Sequence, residues 1–413
     1  MPDLTLPPLQ VDPASLPPPI LTSEPGSFAR HTMTVRVPAI LADTERQNAF
    51  PPEIRASLAA LAGEIATGVA QPPAPAAPDR DLWLASSAGY LGRSWLDVPW
   101  YWAEAYFYRR ILQATGYFVA GPWQGFDPFA STKATEWRPD AAPRALATLL
   151  DALPGAPEAR SRSVLQASLW GNRIDLSLKQ VAERYASGAQ DSGSGLLVDD
   201  SHAVWEWLVQ GTGRPGRVIL IADNAGTELS MDLVLIDHLL AANLAEAVEL
   251  HLKPHPFFVS DATPADLGAC LAAMSALPGA AGALAGRING YLAAGRLQVQ
   301  THWFYTSSLF YFQLPADLQA RLAAARLVIL KGDANYRRLL GDAHWPPSAS
   351  FSAATAYFPA PLLALRTLKS ELIAGLPAGL AEQLAEEDPQ WLLNGSRGVI
   401  QSGPGRPSGR AAV

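Results

Sequence analysis

The chain has 413 residues, of which 49% are hydrophobic and 17% charged, and its formal net charge is −7 at pH 7. This composition supplies a large core and excludes a wholly disordered chain, while an acidic balance without any basic block argues against a nucleic-acid-binding protein. The single cysteine, Cys270, excludes an internal disulfide and a zinc site built from several cysteines. No apolar run reaches the roughly 18 residues of a membrane span, and the N-terminus lacks a basic leader segment, so we expect no membrane partner and a cytoplasmic location.

Four segments differ in composition and spacing. Residues 1–28 are Pro-rich and predict an extended arm, and residues 29–190 carry mainly helical apolar spacing. Residues 191–401 alternate apolar strands with helical stripes, and residues 402–413 predict a disordered polar tail. Helices before residue 190 are predicted at Trp95–Thr115, which is aromatic on every side and therefore buried, and at Arg144–Leu153 and Ser163–Leu169.

After residue 195 short apolar runs end at polar residues and are separated by helical patterns. The predicted strands are Leu196–Val198, Arg217–Ala222, Ala247–Leu252, Arg296–Gln300, Ala325–Leu330 and Leu362–Leu365, the last apolar run. Such alternation is typical of an α/β protein with a mainly parallel sheet that helices cover on both faces. Ligands bind beyond the carboxyl ends of the strands in these sheets.

The most informative of these strand ends carries Asp223, Asn224 and Gly226, with a helix predicted from about Thr227. Carboxylate and amide oxygens side by side suit a hard divalent cation, and the new helix offers backbone N–H groups to an anion. An Asx turn with a helix cap explains the same residues without a ligand. Asp261 follows the next strand, and because adjacent parallel strands bring their ends together, it favours the cation site.

A second strand end carries Lys331, Gly332, Asp333, Asn335 and Arg337. Asp333 and Asn335 have the chemistry to bind sugar hydroxyls, and Lys331 and Arg337 the chemistry to bind phosphate. The alternative is a turn in which Asp333 caps the helix and the cations are solvated.

Two further segments carry candidate ligand groups. Arg366 and Lys369, at the end of the last predicted strand, suit phosphate, the alternative being an ion-paired surface strand. Residues three apart on a strand face opposite sides, so we predict that Lys369 binds phosphate and that Arg366 is partly structural, pairing with an acid such as Asp333. Asn172 and Asp175 follow a helix break at Gly171, where they either contact substrate or cap the next helix.

The segment 211–216 fits the pattern G-x-G-x-x-G, but it precedes a strand. A dinucleotide fingerprint must follow a strand and open a helix. We therefore interpret this segment as a turn and infer neither NAD nor S-adenosylmethionine from it.

The ordered motifs SLWGNRIDLSL, ADNAGTELSMDLVLIDHLL, LKPHPFFVSDA, LKGDANYRRLLGD and LRTLK closely resemble those of the metal-dependent damage-control phosphatases. The Arg-Thr-x-Lys element resembles the signature of their third subfamily, which includes proteins named acidic residue methyltransferase. The resemblance covers about residues 30–401. It implies a helical N-terminal domain beside a three-layer α/β/α sandwich.

The resemblance also implies a function, with a metal site at Asp223, Asn224 and Asp261 and substrate contacts at Glu228 and in the segment Asp333–Arg337. The expected cofactor is Mn²⁺, Co²⁺, Ni²⁺ or Mg²⁺, and the expected partner is a small phosphorylated metabolite such as fructose 1-phosphate or fructose 6-phosphate. Asp261 or Glu228 would orient the attacking water, and the residues alone do not choose between them. The other candidates for phosphate or substrate binding are Lys331, Arg366 and Lys369, with Asn172, Glu104 and Arg109 from the helical segment.

Two other functions compete with the phosphatase. A carboxyl methyltransferase using S-adenosylmethionine is the first, but the sequence has no glycine-rich loop placed after a strand to hold that cofactor. A sugar-phosphate-binding protein without catalysis is the second. Metal-dependent release of inorganic phosphate separates the phosphatase from both.

Overall fold

The computed structural model describes residues 9–75, 77–137, 142–171, 195–210 and 216–405. Within these ranges the first part of the chain is helical, and the second part forms a seven-stranded sheet between helical layers. The predicted fold class, a helical region joined to an α/β/α sandwich with a mainly parallel sheet, is confirmed. In the part of the chain that the structure describes, no helix is both long and apolar enough to cross a bilayer.

Eight α-helices precede the sheet within the described residues. They are α1 (Phe28–His31), α2 (Val37–Gln47), α3 (Pro52–Thr67), α4 (Arg80–Ser86), α5 (Trp100–Ala114), α6 (Ala130–Glu136), α7 (Ala142–Ala152) and α8 (Pro157–Leu169). The aromatic helix α5 packs against α3. A π-helical turn, Thr32–Arg36, joins α1 to α2. Helix α5 is buried on every side from Trp100 to Leu112, as predicted, but it begins after Pro99 because the residue before a proline is driven out of the helical region.

The strands occupy nearly the predicted positions. They are β1 (Leu196–Asp199), β2 (Arg217–Ile221), β3 (Ala247–Leu252), β4 (Leu297–Thr301), β5 (Leu327–Lys331), β6 (Leu362–Thr367) and β7 (Gly398–Gly403). The helices between them are α9 (Ser201–Gln210), α10 (Thr227–Ala241), α11 (Pro264–Ser275), α12 (Ala280–Ala293), α13 (Ala316–Ala323), α14 (Gly332–Leu340), α15 (Phe351–Ala354) and α16 (Leu380–Glu387). The strand order is β1-β7-β6-β5-β2-β3-β4, and all neighbours are parallel except β6 and β7.

The pleat of each central strand divides its side chains between two cores. In β2, Val218 and Leu220 face the layer of α8, α10 and α12, while Ile219 and Ile221 face the layer that includes α13 and α14. Both sets are fully buried, since a parallel sheet covered on both faces has no solvated side.

Two features differ from the sequence expectations. Strand β7 follows the run predicted to be the last and was not predicted, because its glycines and the polar Gln401 and Ser402 leave no apolar run. Its last two residues, Ser402 and Gly403, lie inside the predicted tail. Helices α7 and α8 pack against α12 and α10, so they share a core with the sheet although they precede residue 190.

Candidate active site

The carboxyl ends of β2 and β5 adjoin where the strand order reverses. β3 and β4 lie on one side of this pair, and β6 and β7 on the other. In open parallel sheets a ligand crevice forms at such a switch point, outside the carboxyl ends. Asp223 follows β2, and Gly332 and Asp333 follow β5, so the predicted polar residues lie at this crevice.

Backbone hydrogen bonds join the loop after β2 to the loop after β3. Asn224 and Asp261 form an isolated antiparallel bridge. The Ala262 N–H donates to the Asp223 carbonyl over 2.8 Å. The structure therefore brings together Asp223, Asn224 and Asp261, the three side chains predicted as metal ligands.

Gly332 makes room for the Asp223 carboxylate. Its φ is +82°, and a Cβ built on it would lie 1.9 Å from Oδ2 of Asp223. Any side chain at position 332 would therefore displace the carboxylate and strain the backbone.

The charges at this crevice call for a cation. Burial, together with the negative charges of Glu228 and Asp261, raises the pKa of Asp223 well above its ordinary value. Burial also raises the pKa of Asp261. Oxygen donors that are difficult to ionise alone suit a hard divalent ion, whose charge would keep both carboxylates ionised.

The amide of Asn224 completes this donor set. Its Oδ1 accepts a hydrogen bond from Ser260 Oγ over 2.6 Å, which leaves the second lone pair of that oxygen available. The described residues contain no group of three or more His, Cys, Asp and Glu side chains arranged to hold a metal. Asp223, Asn224 and Asp261 instead offer a cation two carboxylates and one amide oxygen, a donor set that suits a hard divalent ion.

Lys253 positions one of these carboxylates. Its Nζ lies 3.1 Å from Oδ2 of Asp261 and donates to the Ala222 carbonyl over 2.6 Å. The sequence placed Lys253 at the end of β3 but assigned it no role. Only the tertiary structure shows that it ties the end of β2 to Asp261.

Lys331 is not at the crevice, contrary to the predicted phosphate contact. It is fully buried, and its Nζ contacts the Ser168 carbonyl at 2.7 Å, Glu228 Oε1 at 3.0 Å and Asp232 Oδ1 at 2.8 Å. Burial lowers the pKa of Lys331, but the carboxylates of Asp232 and Glu228 outweigh burial and raise it. Lys331 is therefore a structural cation that holds α8 and α10 to β5.

Glu228 lies beneath the crevice. Besides Lys331 it accepts a hydrogen bond from Asn224 Nδ2 over 2.9 Å. Burial raises the pKa of Glu228, but Lys331 and Lys369 outweigh burial and lower it. Its described contacts orient Asn224, and it does not line the cavity where a substrate would lie.

Arg366 is also structural. Its guanidinium is fully buried over the Tyr336 ring at 4.2 Å, and its Nε donates to Asp333 Oδ1 over 2.8 Å. Burial raises the pKa of Asp333, and the charges of Arg366 and Arg337 reverse the shift and lower it. The same Oδ1 accepts a hydrogen bond from the Lys369 backbone N–H over 3.3 Å. Asp333 thus holds the segment whose exposed Lys369 side chain faces the cavity.

Asn335 and Arg337 are engaged with protein groups as well. Asn335 is buried between the Lys331 carbonyl and Tyr311 Oη, so it does not line the cavity as a sugar contact would. Arg337 lines the cavity, but it pairs with Glu104 at 2.6 Å and Asp342 at 2.7 Å. Its predicted phosphate contact would have to compete with two carboxylates.

A cavity of about 370 Å³ lies above these residues, a size typical of small-molecule sites. The predicted residues that line it are Asp223, Asn224, Asp261, Asp333, Arg337 and Lys369, with Glu104 from α5. Arg109 does not line it, because it is buried in a bidentate pair with Asp79. Asn172, Asp175 and residues 211–215 lie outside the described residues.

The sequence missed the wall that the helical region contributes. Phe28, Arg36 and Trp100 line the cavity from α1, the π-helical turn and α5, and Phe258 and Ser260 line it from the loop after β3. The aromatic run around Trp100 was visible, but nothing in its spacing shows which ring faces a site. No sequence signal marks Arg36.

The sequence of this chain is similar to those of damage-control phosphatases. The profile of the "Damage-control phosphatase ARMT1-like domain" family matches residues 32–384. "Damage-control phosphatase ARMT1" of Danio rerio is 35% identical over 336 residues, which are 75% of this chain and 74% of the relative, and that of Homo sapiens is 32% identical over 355 residues, 78% and 80%. A solved DUF89 family protein from Pyrococcus horikoshii covers 90% of this chain and 97% of its own, with 15% identity and a TM-score of 0.48. This chain belongs to the ARMT1-like damage-control phosphatase family.

Proposed function

We propose that this protein is a divalent-metal-dependent phosphatase that hydrolyses small phosphomonoesters, in particular sugar phosphates such as fructose 1-phosphate or fructose 6-phosphate. The observation that carries the proposal is the cavity itself, which Asp223, Asn224 and Asp261 line together with the exposed side chain of Lys369. Family membership supports the reaction class, and the Arg366–Lys369 motif supports assignment to the third subfamily.

The proposed metal ligands are Asp223, Asn224 and Asp261, and Mn²⁺, Co²⁺, Ni²⁺ and Mg²⁺ are the candidates. When bound, such an ion supplies Lewis-acid stabilisation for the charge that develops on a phosphoryl oxygen. Lys253 keeps Asp261 oriented, and Glu228 keeps Asn224 oriented.

The remaining roles belong to residues that face the cavity. Lys369 neutralises phosphoryl oxygens, since phosphoryl transfer depends mainly on positioning and electrostatics. Asp261 orients the attacking water, because it lines the cavity and Glu228 does not. Asp333 presents its second carboxylate oxygen to sugar hydroxyls while Arg366 holds the first.

Release of inorganic phosphate from fructose 1-phosphate tests the proposal. We expect the protein to lose activity on chelation and to regain it with Mn²⁺, Co²⁺, Ni²⁺ or Mg²⁺. Asp223→Ala should lower kcat/KM at least a thousandfold and weaken Mn²⁺ binding measured by calorimetry, with the circular dichroism spectrum unchanged.

Asp237→Ala is the matched control, because Asp237 pairs with Arg287 on the surface, away from the cavity. It should keep wild-type kcat/KM. A protein that binds fructose 1-phosphate but releases no phosphate with any of the four metals would contradict the proposal and favour a binding protein; transfer of a methyl group to a carboxylate would favour the methyltransferase.

A further inference from the structure

Arg36 is an exposed cation that lines the cavity. It is the last residue of the π-helical turn. In the described part of the chain its guanidinium has no hydrogen bond or ion pair, whereas Arg337 in the same wall has two carboxylate partners. A guanidinium offers five N–H donors and accepts none, so an anion is its natural ligand.

Aromatic contacts hold Arg36 in place. Its Cζ lies 5.2 Å from the centre of the Phe28 ring, and that ring meets the Trp100 ring edge-on at 5.7 Å. Cation–π contact orients a guanidinium without using its N–H donors in the ring plane. Arg36 is therefore partly preorganised with its hydrogen-bonding edge free.

This wall is attached to the segment that carries Lys369. The Phe28 N–H donates to Glu371 Oε1 over 2.9 Å, two residues beyond Lys369. The π-helical turn also changes the direction in which the side chains after it point, because each inserted residue rotates the later helical positions by roughly 100°. The two cations thus belong to one connected rim.

Among the described residues that line the cavity, Arg36 and Lys369 are the cations that no carboxylate of the wall neutralises. Glu104 pairs with Arg337, and Asp333 pairs with Arg366. A divalent ion at Asp223 and Asp261 would neutralise those carboxylates. That ion and Lys369 would bind a single phosphate. Arg36 is then available to bind another group.

Arg36 and Lys369 act on different parts of the cavity. Lys369 follows β6, and its backbone N–H donates to Oδ1 of Asp333, which follows β5 (3.3 Å). Arg36 ends the π-helical turn of the helical region, and its guanidinium lies over the Phe28 ring of α1. Arg36 therefore lies on the helical side, and Lys369 on the side of the metal ligands.

We infer that Arg36 is a specificity-determining residue that binds a second anionic group, a phosphate or a carboxylate, at the end of the substrate away from the phosphate that is hydrolysed. The inference rests on the proposed phosphatase function and predicts a preference, among small sugar phosphates, for those with an anion at both ends.

Two substrate pairs test the inference with the metal-loaded protein. Fructose 1,6-bisphosphate is compared with fructose 1-phosphate, and 6-phosphogluconate with glucose 6-phosphate, as initial rates of phosphate release. For each pair we divide kcat/KM for the compound with two anionic groups by kcat/KM for the singly phosphorylated compound. In Arg36→Gln we expect this ratio to fall roughly ten- to a hundredfold, the effect of one charge-assisted contact. Arg36→Lys should retain part of the ratio, and a fall in only one pair identifies the second group as phosphate or carboxylate.

Arg55→Gln is the control, because Arg55 is exposed on α3 and does not line the cavity. It should leave both ratios at the wild-type value. Unchanged ratios in Arg36→Gln, with phosphate still released from the singly phosphorylated sugars, would overturn the inference and leave the phosphatase intact. Absence of phosphate release by the wild-type protein from all four compounds would overturn both.

Discussion

Lys369 and Arg366 show how two cations three residues apart take different roles. The Lys369 side chain is exposed and faces the cavity, whereas Arg366 is enclosed and bound to Asp333. A cation that stabilises the transition state should affect turnover, and a cation that compensates a buried carboxylate should affect folding.

For Lys369→Ala we expect kcat/KM for fructose 1-phosphate to fall by about 10²–10³, as for loss of one preorganised donor, with the melting temperature nearly unchanged. Steady-state kinetics and a thermal melt of the same preparation provide the measurement. A variant with near-normal kcat/KM would show that Lys369 does not contact phosphate.

For Arg366→Ala we expect the free energy of unfolding to fall by about 3–5 kcal/mol, because the Asp333 side chain, which is only 15% exposed, loses its main partner. Arg287→Ala is the control, since its pair with Asp237 is partly exposed and should contribute less than about 1 kcal/mol. Denaturant unfolding measures both. Equal losses in the two variants would contradict a structural role specific to Arg366.

At the scale of elements, the site depends on the turn from β5 into α14. Gly332→Ala places a methyl group where Oδ2 of Asp223 lies and strains a backbone with φ of +82°. We expect activity to fall at least a hundredfold, together with a modest loss of stability of roughly 1–2 kcal/mol from the strain.

Gly279→Ala separates these two effects. Gly279 precedes α12 with a similar φ of +73°, but nothing lies within 4 Å of the position of its Cβ. It should show the loss of stability and keep wild-type activity. If Gly332→Ala stays as active as Gly279→Ala, the close approach of Gly332 to Asp223 has no catalytic importance.

At the scale of the whole molecule, part of the acid sensitivity should come from two buried histidines, His238 between α8 and α10 and His255 after β3, because burial lowers the pKa of each to about 4. His238 Nε2 lies 2.7 Å from Ser161 Oγ, and burial, with a smaller contribution from Arg160, lowers its pKa to about 4. The unfolded chain, with a pKa near 6.5, binds more protons between these values. The stability that this histidine contributes is therefore present above pH 6.5 and is lost as the pH falls to about 4, by on the order of 3 kcal/mol.

His238→Asn should lose less unfolding free energy between pH 7 and pH 4.5 than the wild type, measured with denaturant at constant ionic strength, and the loss that remains is expected from His255. His202→Gln is the control: His202 is exposed, and hydrogen bonding to Glu158 raises its pKa, so its contribution has the opposite sign. His202→Gln should lose at least as much unfolding free energy in acid as the wild type. Identical pH slopes in His238→Asn and the wild type would contradict the prediction.

The sequence by itself determined the parts of this protein that follow from local periodicity. Apolar runs located six of the strands, of which β2, β3, β5 and β6 are buried along nearly their whole length. Parallel pairing of β2 with β3 placed Asp223 and Asp261 at neighbouring strand ends. β7 was missed because glycines and the polar Gln401 and Ser402 leave only two apolar residues in it, although the strand is buried.

Only the tertiary structure decided which polar side chains face the cavity. Like Lys369, the residues Lys331, Asn335 and Arg366 are polar side chains at or just after a strand end. The direction in which each side chain points depends on partners far away in sequence, such as Asp232 for Lys331. Arg36 lies at the end of a π-helical turn, and no residue pattern in the sequence marks such a turn. The physical reason is that strand and helix formation depend on neighbours along the chain, whereas the burial and pairing of a charge depend on the packing of distant elements.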